Sequence, residues 1–222
     1  MKLKKIASLM MAGVMAVSML AGCSNGTKPD DGEKDPVVDS SLTGKVIAAL
    51  DEDTTKIVEF TADSNLESVL KKAVQNAGYN GLKKIDADVL NAIDSDISAK
   101  DALANVGTGG GSEDTDKKES KAAYVKTVAG DGKNAATIAK ELAAEIDKMA
   151  FGRVNNNTQG VGWSELPEYS YTFQDDDGKD FWYDFDYTAG VAVVDVSDAV
   201  TGETTYVVAV TVTRTPTQTY KA

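Results

Sequence analysis

Trp182, Asp184 and Asp186 occupy alternate positions of the stretch Phe181-Trp182-Tyr183-Asp184-Phe185-Asp186-Tyr187. In a β-strand this spacing puts the indole and both carboxylates on one face, with Phe181, Tyr183, Phe185 and Tyr187 on the other. The four-ring face reads as core. A tryptophan beside two carboxylates on a solvated face can stack on the apolar side of a sugar ring, while the carboxylates accept its hydroxyl protons. Trp163 is a second candidate for the same platform. The plainer alternative is that Trp182 packs against another part of the chain. Nine of the fifteen aromatic residues fall between Trp163 and Tyr187, so binding or core, this segment dominates the second half.

The run Asp175-Asp176-Asp177-Gly178-Lys179-Asp180 gathers carboxylates that could hold Ca²⁺, with Asp175, Asp177 and Asp180 as the candidate ligands. The spacing departs from the EF-hand loop. With Gly178 at the sixth position, Phe173 falls at the first, where an acid is required. Asp177-Gly178 is also a strong hairpin-turn signal by itself. Asp184 and Asp186 offer a third chemistry, a carboxylate pair for glycoside hydrolysis, with Cα atoms about 7 Å apart along the strand. Any strand with aspartates at alternate positions produces that pair, and nothing else points to a shaped cleft.

The absences narrow the choice. The chain has no histidine, which removes Ser-His-Asp triads, Cys-His dyads and histidine metal sites. Its one cysteine is Cys23, so disulfides within the chain are excluded. A catalyst would have to work with carboxylates, lysine, tyrosine or hydroxyls. The expectation is a non-catalytic protein with no cofactor beyond the Ca²⁺ considered above.

Residues 20–23 read Leu20-Ala21-Gly22-Cys23, preceded by Lys2, Lys4 and Lys5 and an apolar run from Ile6 to Leu20. This resembles a bacterial lipoprotein signal peptide with its lipobox. The resemblance implies cleavage before Cys23, a diacylglyceryl thioether on its sulfur, and a mature protein held at the outward face of a bacterial membrane. Where the cell has an outer membrane, Ser24 after the lipidated cysteine does not oppose transfer to it, by resemblance to known sorting patterns. The apolar run is shorter than the roughly 20 residues of a spanning helix, and small residues directly before the cysteine argue against an uncleaved anchor. Removing residues 1–22, with their three lysines and no acids, takes the net charge from −12 to −15. Such acidity repels nucleic acid and anionic headgroups.

Residues 23–43 read as the lipidated cysteine and a flexible polar tether. A small α+β region is expected over 44–106. Lys45–Leu50 and Lys56–Phe60 would form a hairpin around Asp51-Glu52-Asp53. An amphipathic helix follows over Ser64–Ala77, stopped by Gly78, then a second from about Asp86 and a short third over Ala99–Ala104. The polar, glycine-rich stretch 107–120 reads as a linker and candidate domain boundary; one domain with a floppy insertion is the alternative. Its triple glycine lacks the flanking strand and helix of a phosphate loop. Over 121–216 a second α+β domain is expected: a helix at Asn134–Ala150 packed on a four-stranded antiparallel meander, then a tail at 217–222. The strands would be Tyr169–Phe173, Phe181–Tyr187, Val191–Val196 and Tyr206–Val212, joined at 175–179, 188–190 and 197–203. Asn155-Asn156-Asn157-Thr158 contains a sequon and reads as a polar loop.

The expected function is binding of a cell-envelope or extracellular carbohydrate. A protein-interaction module, inhibitor-like or for assembly, is the alternative. A histidine-free hydrolase working through Asp184 and Asp186 stands third.

Overall fold

The alternating stretch read as two short strands is one. A computed structural model describes residues 41–103, 112–150 and 161–221, and in it Asp180–Ser197 forms a single long strand (β4). It turns through 198–203 and returns as Thr204–Tyr220 (β5), paired from Phe181↔Tyr220 to Ser197↔Thr204. The expected turn at Thr188-Ala189-Gly190 is strand interior. Gly190 is there for a different reason. A Cβ at this position would come 2.7 Å from Asp63 Oδ2 and 2.9 Å from Thr211 Oγ1, so the glycine lets the next layer approach. Gly190→Ala is expected to cost about 1–3 kcal/mol, read as a lower urea midpoint.

Three further strands flank the hairpin. Val58–Ala62 (β1) runs parallel to β4, with Val58↔Tyr187 through Ala62↔Val191. Ser120–Ala129 (β2) pairs antiparallel with β5 on the far side. Phe173–Gln174 (β3) pairs with the start of β4, on the same edge as β1. The sheet order is β1-β4-β5-β2, a mixed sheet in an α+β fold rather than a simple meander.

Four of the described helices begin at a capping side chain. Ser41 accepts from Gly44 N–H and starts Leu42–Ile47 (α1). A short turn of helix, Glu52–Thr55 (α2), follows and is tied to the sixth helix by Thr54 Oγ1 donating to Asp147 at 2.6 Å. The hairpin expected over 45–60 is therefore replaced by two helices and one strand; Val46 is buried against the sixth helix instead of pairing. Ser64–Ala77 (α3) spans the expected residues, capped by Asp63 and ended by Gly78 at φ +63°. Ala87–Ile93 (α4) is capped by Asp86. Residues 99–103 are not helical; Lys100 O accepts from Ala123 N–H at 2.8 Å along the outer edge of β2. Glu113–Asp116 (α5) lies inside the expected linker. Ala135–Asp147 (α6) is capped by Asn134.

Two cores sandwich the sheet. On one face Ile138, Leu142 and Ile146 of α6 meet Phe181, Tyr183, Phe185, Tyr187, Val208 and Val210. On the other, Leu66, Leu70 and Leu90 of α3 and α4 meet Ala123, Ala192, Val194, Val207 and Ala209. Both halves of the sequence thus contribute to one sheet, and residues 38–222 group as one compact unit with the expected boundary inside it. β5 also continues through the expected tail to Tyr220.

An arginine is buried at the α6-side core, facing a buried aspartate. Arg214 has no exposed side-chain surface, lies 4.0 Å from Asp116, and donates to the carbonyls of Thr115 and Lys118 at 3.3 and 3.4 Å. Its guanidinium sits 4.3 Å from the Phe185 ring centre. This one side chain fastens the 112–118 segment to the sheet.

Burial pushes the phenols of Tyr124 and Tyr187 above the ordinary tyrosine range. Tyr187 donates to Pro167 O at 2.9 Å, and Tyr124 to the carbonyls of Asp101 and Ala150. A folded value above the unfolded one means stability that is fully present below the unfolded value, about 10, and lost as pH rises through the folded one. Urea midpoints are expected to fall above about pH 10, and Tyr187→Phe to flatten that fall.

Candidate functional site

The helices on the α3 side cover only part of the sheet. They meet the hairpin from about Gly190 towards its turn, through Ala192, Val194, Val207 and Ala209. From Gly190 back to Asp180 the same face carries Thr188, Asp186, Asp184 and Trp182 in β4. Opposite them in β5 stand Thr213, Thr215, Thr217 and Thr219, in the pairs Thr188↔Thr213, Asp186↔Thr215, Asp184↔Thr217 and Trp182↔Thr219. Asp186, Thr188, Thr215 and Thr217 are exposed; Trp182, Asp184, Thr213 and Thr219 are half-buried. The opposite side of these strands is the α6-side core, as the alternation predicted.

Asp184 is the hub of this face. One carboxylate oxygen accepts from Trp182 Nε1 at 3.0 Å, and the other from Thr219 Oγ1 at 2.6 Å. The indole is therefore drawn along the strand and its rotation restricted. Both carboxylates were expected to meet a ligand directly. In the structure Asp184 braces Trp182 and Thr219, leaving Asp186 as the exposed acceptor.

Tyr169 adds a second aromatic. It bridges to Asp184 across the neighbouring edge of β4, which puts both side chains on the same face. Four residues separate Tyr169 from Phe173, but only three separate their partners Asp184 and Phe181, so one extra residue is accommodated between them. The bulge breaks the expected alternation of Tyr169, Tyr171 and Phe173. Phe173 turns into the core beside Phe181 and Tyr183, with ring centres 5.7 and 6.2 Å away. Tyr169 and Tyr171 remain 64% and 55% exposed.

The far end of the platform is bordered by charge. Glu59 of β1 lies beside Thr188, and Lys121 of β2 beside Thr213, giving the transverse row Glu59–Thr188–Thr213–Lys121. Trp182 and Thr188 are six residues apart in one strand, about 20 Å.

Trp163 does not join the platform. It is 2% exposed, donates its indole N–H to Ile146 O at 2.7 Å, and meets Phe60 edge-on at 5.1 Å. It closes the α6-side core. The Asp175–Asp180 run forms a turn: Asp175 Oδ1 accepts from the backbone N–H of Asp177 and Lys179 at 3.0 and 2.9 Å, and Gly178 sits at φ +76°. Asp180 accepts from Gln174 and Lys221, and these bonds, the Gln174 one foremost, lower its pKa. Among the described residues no group of three or more acidic, histidine or cysteine side chains could hold a metal ion.

The threonines and Tyr169 were absent from the sequence-based site. The threonines had a visible signal, five at alternate positions from Thr211 to Thr219. Tyr169 depends on the bulge, which alternation conceals.

Cys23 and the Asn155–Thr158 sequon lie outside the described residues. Among those described, no helix is long and apolar enough to cross a membrane. Comparison with known protein families, with curated proteins and with solved structures found no match for the chain.

Proposed function

We propose that the chain is a lipid-anchored surface protein that binds an extended glycan on the open face of the β4–β5 hairpin. The carrying observation is that Trp182, braced by Asp184, lies on a sheet face that no helix among the described residues covers, with exposed Tyr169 alongside. Two aromatic side chains supply stacking surface, and Asp186 with the threonines supplies acceptors and donors for sugar hydroxyls. Small-molecule sites are concave and mostly apolar. An open, hydroxyl-lined strip suits a polymer lying along the strands. Asp186 and Glu59 repel anionic chains, so the reading favours an uncharged or amine-bearing glycan of the cell envelope or its surroundings.

The anchor would be the lipid on Cys23, with 24–43 as the tether, at the outward face of a bacterial membrane. The role is binding rather than turnover: among the described residues the two exposed carboxylates of this face, Asp186 and Glu59, stand on separate strands at an open surface.

The test is retention of the soluble ectodomain, residues 24–222, by a panel of insoluble cell-wall material and by gels carrying soluble polysaccharides. Retention by a neutral or amino polysaccharide, and not by anionic ones, is expected. No retention across the panel rejects the reading.

A further inference from the structure

One lane beside β4 is filled by two segments and then, among the described residues, left empty. The stretch leading into β3 lies against residues 180–185, with Ser170 N–H bonded to Tyr183 O and Phe185 N–H to Glu168 O. β1 then lies against Tyr187–Val191. At Asp63, whose N–H donates to Val191 O at 2.9 Å, the chain leaves the lane to start α3. No described strand takes its place against Val193–Ser197.

Backbone alternation fixes what this edge presents. Val191 C=O faces the lane, so the N–H and C=O groups of Val193, Asp195 and Ser197 face it too, while the residues between them bond to β5. Beside the edge runs an open groove of ≈ 530 Å³, walled on the other side by Glu67, Lys71, Val74 and Gln75 of α3. A strand edge with a helix wall is the geometry for adding a strand in trans.

We propose that this slot takes an extended segment of a second protein, paired to Val193–Ser197 and carrying a basic residue against Asp195. Charge selects that occupant. Lys71 is already paired with Glu67 at 2.5 Å. Asp195 is exposed, and Asp198 and Glu203 follow at the hairpin end. The same charge disfavours a second copy of this chain, because two-fold pairing centred on Asp195 would set the two Asp195 side chains opposite each other. The slot lies beyond Gly190, further along the same lane of β4 than Tyr169 and Glu59 of the glycan platform, and stands or falls independently of it.

The test is selection of random linear peptides, displayed on phage, against residues 24–222, which include the whole compact unit. Two variants serve as counter-selections. Asp195→Lys keeps the edge N–H and reverses the charge. Asp195→Pro removes an N–H that faces the empty lane, which an edge strand tolerates. The expected winners alternate β-branched residues with lysine or arginine, bind Asp195→Lys about tenfold or more weakly, and slow amide exchange at Val193 and Asp195. The proposal is overturned by failure to enrich peptides, by peptides that bind both variants as well as the parent, or by a self-associated ectodomain that Asp195→Pro dissociates.

Discussion

Arg214→Ala is expected to lose about 3–5 kcal/mol of folding stability, a large share of the roughly 5–15 kcal/mol that holds a domain of this kind. The loss has three sources on one side chain. Asp116, itself buried, would lose the opposing guanidinium. The carbonyls of Thr115 and Lys118 would lose a donor. The Phe185 ring would lose the cation above it, together with the packing of the arginine stem. Because the 112–118 segment is held by these contacts, it should detach first, exposing that end of the α6-side core to protease. Replacing both charges with apolar residues, Arg214→Met with Asp116→Leu, should recover much of the loss, since the pair's attraction mainly offsets its own desolvation. Urea denaturation measures both. A single-variant loss below about 1 kcal/mol would mean that the pair contributes no more than a surface one.

Trp182→Ala is expected to weaken glycan binding by about thirtyfold or more, equivalent to about 2 kcal/mol at a central aromatic contact. Its effect on folding should be small, because the indole lies on the uncovered face and leaves no cavity in either core. Asp184→Ala tests the brace. It frees the indole and Thr219 without removing stacking surface, so affinity should fall by less than in Trp182→Ala. Trp163→Ala should do the reverse, destabilising the fold by about 3–5 kcal/mol without a specific effect on affinity. If Trp182→Ala instead unfolds the protein, the indole belongs to the core and the platform reading fails. Isothermal titration with an oligosaccharide of the retained glycan, alongside urea midpoints, separates these outcomes.

The parts of the fold legible in the sequence were those in which one signal dominated. α3, α4 and α6 each join an apolar stripe to an N-cap, at Asp63, Asp86 and Asn134. The two faces of Phe181–Tyr187 follow from strict alternation between a solvated side and a core. The errors arose where tertiary contact overrode a local signal. Gly190 reads as a turn but serves the approach of Asp63. β2 carries Ala122 and Ala123 buried in opposite cores, so it has no alternation to detect. Lys45–Leu50 looks β-like, yet Ser41 caps it as a helix against α6. Trp163 reads as part of the platform, but its place in the core depends on α6 offering the Ile146 carbonyl. At the site itself, Trp182, Asp184 and Asp186 were visible from spacing, whereas the brace between the first two required side-chain positions.

Acrylamide quenching of tryptophan fluorescence, with and without a saturating soluble form of the retained glycan, tests the platform most directly. The two tryptophans differ in access, Trp163 being sealed in the core and Trp182 half-open on the sheet. In the free protein the quenchable signal should come from Trp182 and vanish in Trp182→Phe. Bound glycan should shield it, lowering the quenching constant towards that of Trp163 alone. Unchanged quenching while the glycan is demonstrably bound would place the ligand elsewhere and contradict the account.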